Sequence, residues 1–160
     1  MRTLEELSDR SEIQDVLVAE ASAMDRRDWA RWESLFTSDA QIDYSENDGA
    51  VGRPPEVRAW LASVLGRFHS YQHLSTNFEV ELEGDLARVR SMQYIAVKME
   101  TSSDTRVVFS GIWFRDELAR TSAGWKIQRR YEELAWRHNF PADFEAPIAG
   151  GAGASERLGE

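Results

Sequence analysis

At 160 residues, with 28 acidic against 19 basic side chains and a net charge of −9, the chain is one domain long enough to bury its own core. It has no Cys, which excludes a disulfide framework and a thiolate site, and its acidic balance argues against nucleic acid, whose phosphates want a basic face. The charged N-terminus MRTLEELSDR and the lack of a membrane-length apolar run argue against a signal peptide and a membrane partner, so a cytoplasmic location is the default expectation.

Thr3 with Glu6, and Asp9 with Glu12, both have capping-box spacing and predict an early start to the first helix. Its apolar stripe is Ile13, Val16, Leu17, Glu20 and Met24, so Glu20 is a carboxylate among apolar positions. It either snorkels to water or pairs with an Arg, because burying it unpaired is costly. The helix ends at Asp25, at the edge of that apolar face. A short helix over 28–36 follows, with Asp28 as its N-cap and Trp29, Trp32, Leu35 and Phe36 on one face. Asp39 to Tyr44 reads as a strand in which Ala40, Ile42 and Tyr44 alternate.

A polar loop over 45–52 carries the turn Asn47-Asp48-Gly49. Pro54-Pro55 opens a third helix that buries Val57, Trp60, Leu61, Val64 and Leu65 and stops at Gly66. Residues 68–76 read as a connection. Phe78, Val80 and Leu82 then alternate with Glu79, Glu81 and Glu83 as a strand with one buried face. Gly84-Asp85 turns into a strand over 87–100, and 101–105 is a further turn. The strand over 106–120 is apolar on both sides in its middle (Val107, Val108, Phe109, Ile112, Trp113, Phe114), which predicts cover on both faces. Ser122-Ala123-Gly124 turns into a last strand from Trp125 to Trp136. From Asn139 the pattern fails, and 141–160 reads as a tail with disorder at its end. Helices followed by four strands in meander predict an α+β domain over 1–140, with three N-terminal helices packed in the concave face of a curved antiparallel sheet.

Several stretches carry a resemblance: Asp25-Arg26-Arg27-Asp28-Trp29, then Leu35-Phe36 and Asp39-Ala40; His73-Leu74-Ser75-Thr76-Asn77 before a strand; Gly84-Asp85; and Arg120 with Gly124-Trp125-Lys126-Ile127. Their order and spacing over residues 8–137 resemble SnoaL-like proteins of the nuclear transport factor 2-like superfamily. The resemblance implies a cone-shaped domain and points to the fold more specifically than to an activity. Scytalone dehydratase, dehydrochlorinase and bile-acid dehydratase relatives have this cone. In several dehydratases and the dehydrochlorinase a His pairs with the aspartate ending the first helix, and the matching positions here are His73 and Asp25. An Asp accepting from one ring nitrogen fixes the tautomer and leaves the other nitrogen as base. A lone His, taken by itself, is more often structural.

The resemblance also implies roles for Arg130, five residues after the Trp of the last strand, and for Glu20, where relatives often place Tyr. Arg130 would either hold a developing oxyanion or form a buried ion pair with Glu20 or Asp116. Alternation puts Arg129 and Tyr131 on the opposite face, and a bulge would reverse that choice. Tyr44 either donates into a pocket or belongs to the core. Phe36, Met92, Tyr94, Trp113 and Phe114 are candidate lining for an apolar cavity, or plain core. His69 lies four residues before His73 without a third ligand at suitable spacing, so no metal is expected; His138 reads as a surface residue.

Three functions fit. The first is a cofactor-free lyase or isomerase (a dehydratase or cyclase) acting on a small, mostly apolar molecule, polyketide- or steroid-like by resemblance. There His73 removes a proton, Asp25 orients it, and Arg130, Tyr44 or Glu20 assists. The second is an epoxide hydrolase using Asp25, Glu20 and Arg130 to activate water. The third is a non-catalytic ligand-binding or dimerisation module. A homodimer through the outer sheet face is expected in each case.

Overall fold

The computed structural model describes residues 1–100 and 104–141. The predicted tail beyond 141, and part of the turn predicted over 101–105, lie outside them.

Helix α1 (Leu4–Asp25) begins on the predicted capping box, with Thr3 accepting from the Glu6 amide and Glu6 accepting from that of Thr3. It buries Ile13, Leu17, Ala21, Ala23 and Met24 and also, against hydropathy, Asp9 and Glu20. Helix α2 is shorter than its sequence pattern suggests. It spans Trp29–Ser34 with Asp28 as N-cap, and Phe36 already starts strand β1 (Phe36–Asp43). The apolar spacing that reads as one helix face is shared between a helix end and a strand start. A 3-10 turn (Ser45–Asn47) and the two-residue strand β2 (Val51–Gly52) lead to α3 (Pro54–Leu65), which has Pro in its first turn as expected.

Four long strands follow: β3 (Ser70–Glu83), β4 (Leu86–Glu100), β5 (Thr105–Thr121) and β6 (Gly124–His138). The stretch expected to connect α3 to the sheet is therefore mostly strand, and His73 sits within β3 rather than before it. The sheet order is β2-β1-β6-β5-β4-β3. All neighbouring pairs are antiparallel except β1 with β6, which is parallel. The α+β class and the cone hold, with six strands where the pattern shows four in meander. Both pairings beyond the meander involve β1, the strand expected over 39–44, which pairs with the two-residue β2 and with β6; α3 and three long strands separate it from β6, so it gives no hairpin signal.

Three irregularities decide which side chains face inward. In β3 the register slips between Thr76 and Glu79, where Asn77 has φ +53°. In β6 it slips on either side of the stretch from Arg129 to Leu134, leaving Gln128 and Ala135 unmatched. Inner positions are consequently Trp125 and Ile127 before the first bulge, and Arg130 and Glu132 after it. The core joins α1, α2 and α3 to this inner face through Trp32, Phe36, Ile42, Val57, Val108, Ile112, Phe114 and Leu118.

Candidate active site

A cavity of about 110 Å³ opens between α3, the end of α1 and the concave face of the sheet. At about 30 Å³ per water that is space for a few waters, or one small organic molecule. Its walls are mostly apolar, including Met24, Trp60, Leu61, Val64, Phe68 and Phe114. Its polar lining comes from the strands and the 3-10 turn: His73, Gln93, Ser110, Glu132 and Asn47, with Arg137 and Tyr44.

His73 belongs to β3 and is held by Asp25 twice. Its ring Nδ1 lies 2.6 Å from Asp25 Oδ1, and its backbone N–H donates to the same carboxylate at 3.1 and 3.2 Å. The imidazole is 4% exposed and the Asp25 side chain 24%, so the pair lies at the edge of the apolar wall. Position and tautomer are thereby set together, and Nε2 remains for the cavity. The neighbouring turn is braced as well. The Tyr71 hydroxyl donates to the Met24 carbonyl at 3.0 Å, and Arg27, at φ +56°, donates to the Leu65 and Phe68 carbonyls. The end of α1 is thus fastened to the start of β3 at the point where Asp25 must aim.

Arg130 is the inward-facing arginine; Arg129 is exposed. Strict alternation from Trp125 and Ile127 would carry Arg129 inward, and the bulge at Gln128 exchanges them. Arg130 does not line the cavity. It lies beneath it, donating from Nε and Nη2 to the two Asp116 oxygens at 2.7 and 2.9 Å, with Nη1 2.9 Å from Glu20 Oε1. Its guanidinium stacks 3.9 Å from the Phe114 ring centre. Glu20 is fully buried, accepts from Trp32 Nε1 at 2.8 Å, and likewise lies below the cavity surface. Of the two readings left open for Glu20, partnered burial is the one found. Burial raises the Asp116 carboxyl above the usual range in spite of Arg130, and the two carboxylates hold the Arg130 guanidinium far above the point where it could lose its proton.

Tyr44 lies at the end of β1, is buried, and lines the cavity; burial pushes its hydroxyl well above the ordinary range, so it remains a neutral donor. Phe36 is core, 4.5 Å from the Trp32 ring centre, and does not line the cavity. Met92, Tyr94 and Trp113 belong to the outer face of the sheet. Tyr94 packs 5.7 Å from Phe109 and 5.5 Å from Trp136, and Arg90 stacks 3.8 Å over Trp113, which pairs with Met92 across the strands. Strands that are apolar on both sides give no parity by which to choose, and of the five lining candidates only Phe114 is in the wall. His69 precedes β3 and is exposed. His138 is exposed at the end of β6, 6.3 Å from Phe109. Among the described residues no group of three His, Asp or Glu side chains could hold a metal ion.

The sequence reading passed over Glu132, Gln93, Ser110, Asn47 and Arg137. Glu132 is 6% exposed, and burial lifts its carboxyl to about 7 against the opposing pull of Asn47, Arg130 and Arg137. Gln93 was legible: with Ser91 it continues the inner row of Ala87 and Val89, a polar pair where the pattern calls for apolar side chains. Glu132 shares the inward parity of Arg130, but it stands in the charged run Arg129-Arg130-Tyr131-Glu132-Glu133, where one more acid carries no distinguishing signal.

Three helices closing a curved, mostly antiparallel sheet around a pocket define the nuclear transport factor 2-like cone class. Within it the chain belongs to the SnoaL-like domain family, whose profile matches residues 5–131. An uncharacterized protein of Mycobacterium tuberculosis is 40% identical over 132 residues, covering 82% of this chain and 89% of the relative. A solved structure from Novosphingobium aromaticivorans, provisionally named an aromatic ring hydroxylase, is 28% identical and covers 81% of this chain and 91% of its own, with a TM-score of 0.73. A second from the same organism, provisionally named a scytalone dehydratase, has a TM-score of 0.75 at 18% identity, covering 94% and 97%. A hexachlorocyclohexane dehydrochlorinase from Novosphingobium barchaimii has a TM-score of 0.74 at 19% identity, covering 90% and 98%. The last two likenesses show the fold alone. No helix among the described residues is long and apolar enough to cross a membrane.

Proposed function

We propose that the cavity is the active site of a cofactor-independent lyase or isomerase that begins by removing a proton beside a carbonyl of a small, mostly apolar ring compound. The observation that carries this is the 2.6 Å contact between His73 Nδ1 and Asp25, with the other ring nitrogen left for an apolar cavity. Asp25 stabilises the imidazolium that forms when Nε2 takes the proton. The apolar wall strengthens that pairing and keeps the abstracted proton from exchanging with bulk water before the second step. Dehydrations, double-bond migrations and cyclisations share this start, and a polyketide- or steroid-like skeleton is the class the family suggests. Hydrolysis of an epoxide through Glu20 and Arg130 is less well supported, since both are engaged with Trp32 and Asp116 below the cavity surface.

The test needs no assumed product. The protein is incubated with a panel of small ring ketones in heavy water, and deuterium entering beside the carbonyl is followed by NMR. Folded His73→Ala and Asp25→Asn variants should each exchange roughly a hundredfold more slowly than wild type. The double variant should be little worse than either, since one unit is broken. A His73→Ala protein that exchanges at near wild-type rate overturns the proposal, and a panel without exchange favours a binding module.

A further inference from the structure

The cavity has a second polar end that the His73–Asp25 pair does not explain. Glu132 Oε1, both amide atoms of Gln93 and the Tyr44 hydroxyl are buried and have no hydrogen-bond partner within the protein. Unpaired buried polar groups of this kind are expensive, and four such atoms on the lining of one cavity mark a place where something polar binds. They come from three segments: β6 (Glu132), β4 (Gln93) and the end of β1 (Tyr44). His73 is on β3, next to the β4 strand that carries Gln93, while Glu132 on β6 is two strands further across the sheet, so the base and Glu132 are separated along the cavity lining with Gln93 between them.

We propose that Glu132 is the oxygen-recognising acid of this cavity, its un-ionised carboxyl donating a proton or hydrogen bond to a carbonyl or hydroxyl oxygen of a small ring compound whose other edge faces His73. The assignment rests on the proton-abstraction reading for its chemistry, though not for its binding. In the reaction, the C–H proton passes to His73 Nε2 and the C–H electron pair becomes a C=C bond. The carbonyl electron pair moves to oxygen, which takes the Glu132 proton. The products are a neutral enol, an imidazolium and a carboxylate; where the ring carries an adjacent C=C, the imidazolium returns its proton to the far carbon of the conjugated dienol while the enol O–H gives its proton back to the Glu132 carboxylate, which restores the C=O and completes an isomerisation.

The protonation state fits the role. Burial holds the Glu132 carboxyl at about 7, so a large share carries its proton near neutrality. The charged and titratable groups that act on it are Glu20 from α1, which favours the proton, and Arg130 and Arg137 from β6, which oppose it. Asn47 hydrogen-bonds it from the 3-10 turn. Tyr44 and His73 share the cavity, and Asp116 from β5 offsets Arg130.

The experiment compares acetophenone with ethylbenzene, the same shape without the oxygen, by calorimetric titration of the intact protein. Wild type should bind acetophenone about tenfold more tightly than ethylbenzene, the worth of one good hydrogen bond. That preference should fade as pH rises through about 7, where the carboxyl becomes a carboxylate that cannot donate. Glu132→Gln keeps a donor of the same size, so it should retain the preference and lose the pH dependence. Glu132→Ala should lose both, while ethylbenzene binding and the melting temperature show that the cavity survives. His73→Ala should leave the preference intact while abolishing deuterium exchange, so failure of the base and failure of the acid give different patterns. Acetophenone that does not bind, a Glu132→Ala protein that still prefers it, or a Glu132→Gln protein with wild-type pH dependence each overturn the assignment.

Discussion

Replacing Arg130 with Met tests whether the polar layer below the cavity is a true buried ion cluster. Arg130 faces Asp116 through two hydrogen bonds of 2.7 and 2.9 Å and Glu20 at 2.9 Å, and all three side chains are at most 1% exposed. With charge centres near 4 Å, each attraction is worth about 4 kcal/mol at an effective dielectric of about 20, and desolvation of the ions takes much of it back. Removing the cation leaves two carboxylates with no counter-charge, a loss of about 3–5 kcal/mol by analogy with other broken buried pairs. A domain of this size has about 5–15 kcal/mol in all, so the variant should be marginal.

The loss should depend on pH with a definite sign. Burial already raises the Asp116 carboxyl, and without Arg130 the fold tolerates it only as a neutral acid, so its folded pKa lies above the unfolded one. The folded state then binds more protons than the unfolded state, and stability falls as pH rises above about 4. The slope from Asp116 is at most about 1.4 kcal/mol per pH unit. Urea unfolding followed by Trp fluorescence near pH 5 and near pH 7.5 should therefore show a smaller deficit at the lower pH. Combining Arg130→Met with Glu20→Gln and Asp116→Asn should recover part of the loss, because no ion is then left unpaired. An Arg130→Met protein within about 1 kcal/mol of wild type at both pH values would refute the reasoning.

Asp9 is buried near the start of α1, accepts from Trp125 Nε1 at 3.1 Å and pairs with Arg120 at 2.7 Å; the Arg120 hydrogen bond foremost holds its carboxyl below the usual range. That stability is present above about pH 4 and is lost as pH falls through the folded value, so Asp9→Asn should lower the melting temperature at neutral pH and flatten the acid limb of the stability curve. We also propose a homodimer through the outer sheet face, where Tyr94, Phe109 and Trp136 form a half-exposed aromatic cluster with Val107 and Leu74 nearby in the sheet. Light scattering should give twice the chain mass, and Trp136→Asp should halve it; a wild-type monomer at micromolar concentration rejects the interface.

What was legible in the sequence, and what was not, follows strand parity. The helix boundaries came from capping chemistry at Thr3, Asp28 and Pro54, which is local and survives folding. Glu20 stood out because a carboxylate in an apolar stripe demands a partner. Asp25 and His73 were paired only by resemblance, since nothing in the 48 residues separating them tells that β3 returns to the end of α1. Parity failed where the chain bulges, at Asn77, Gln128 and Ala135. The second of these takes Arg130, the arginine chosen by resemblance, inward where strict alternation from Trp125 and Ile127 would have taken Arg129, and carries Glu132 with it. It also failed where both faces of a strand are apolar, which put Met92, Tyr94 and Trp113 on the wrong side. The parallel pairing of β1 with β6 joins segments some 90 residues apart that carry no shared signal.

These placements give α1 a function beyond covering the sheet. Its three anchoring acids are Asp9, Glu20 and Asp25. Asp9 and Glu20 are 11 residues apart, about three turns, so both point to one side, and both reach β6, at Trp125 and Arg130. Asp25 is five residues further on, rotated by about 140°, and reaches β3 at His73. The helix therefore ties β6 to β3, the strands that carry Glu132 and His73 and that are separated in the sheet by β5 and β4. The Asp25–His73 distance is set partly by how firmly Glu20 is held, about 7.5 Å back along the helix. Glu20→Gln weakens that hold while keeping the side chain's shape. It should lower deuterium exchange even though Glu20 does not line the cavity, and the fall should be in turnover rather than in ketone affinity. Unchanged turnover in a folded Glu20→Gln protein means that the Tyr71 and Arg27 contacts at the helix end suffice to aim Asp25 by themselves.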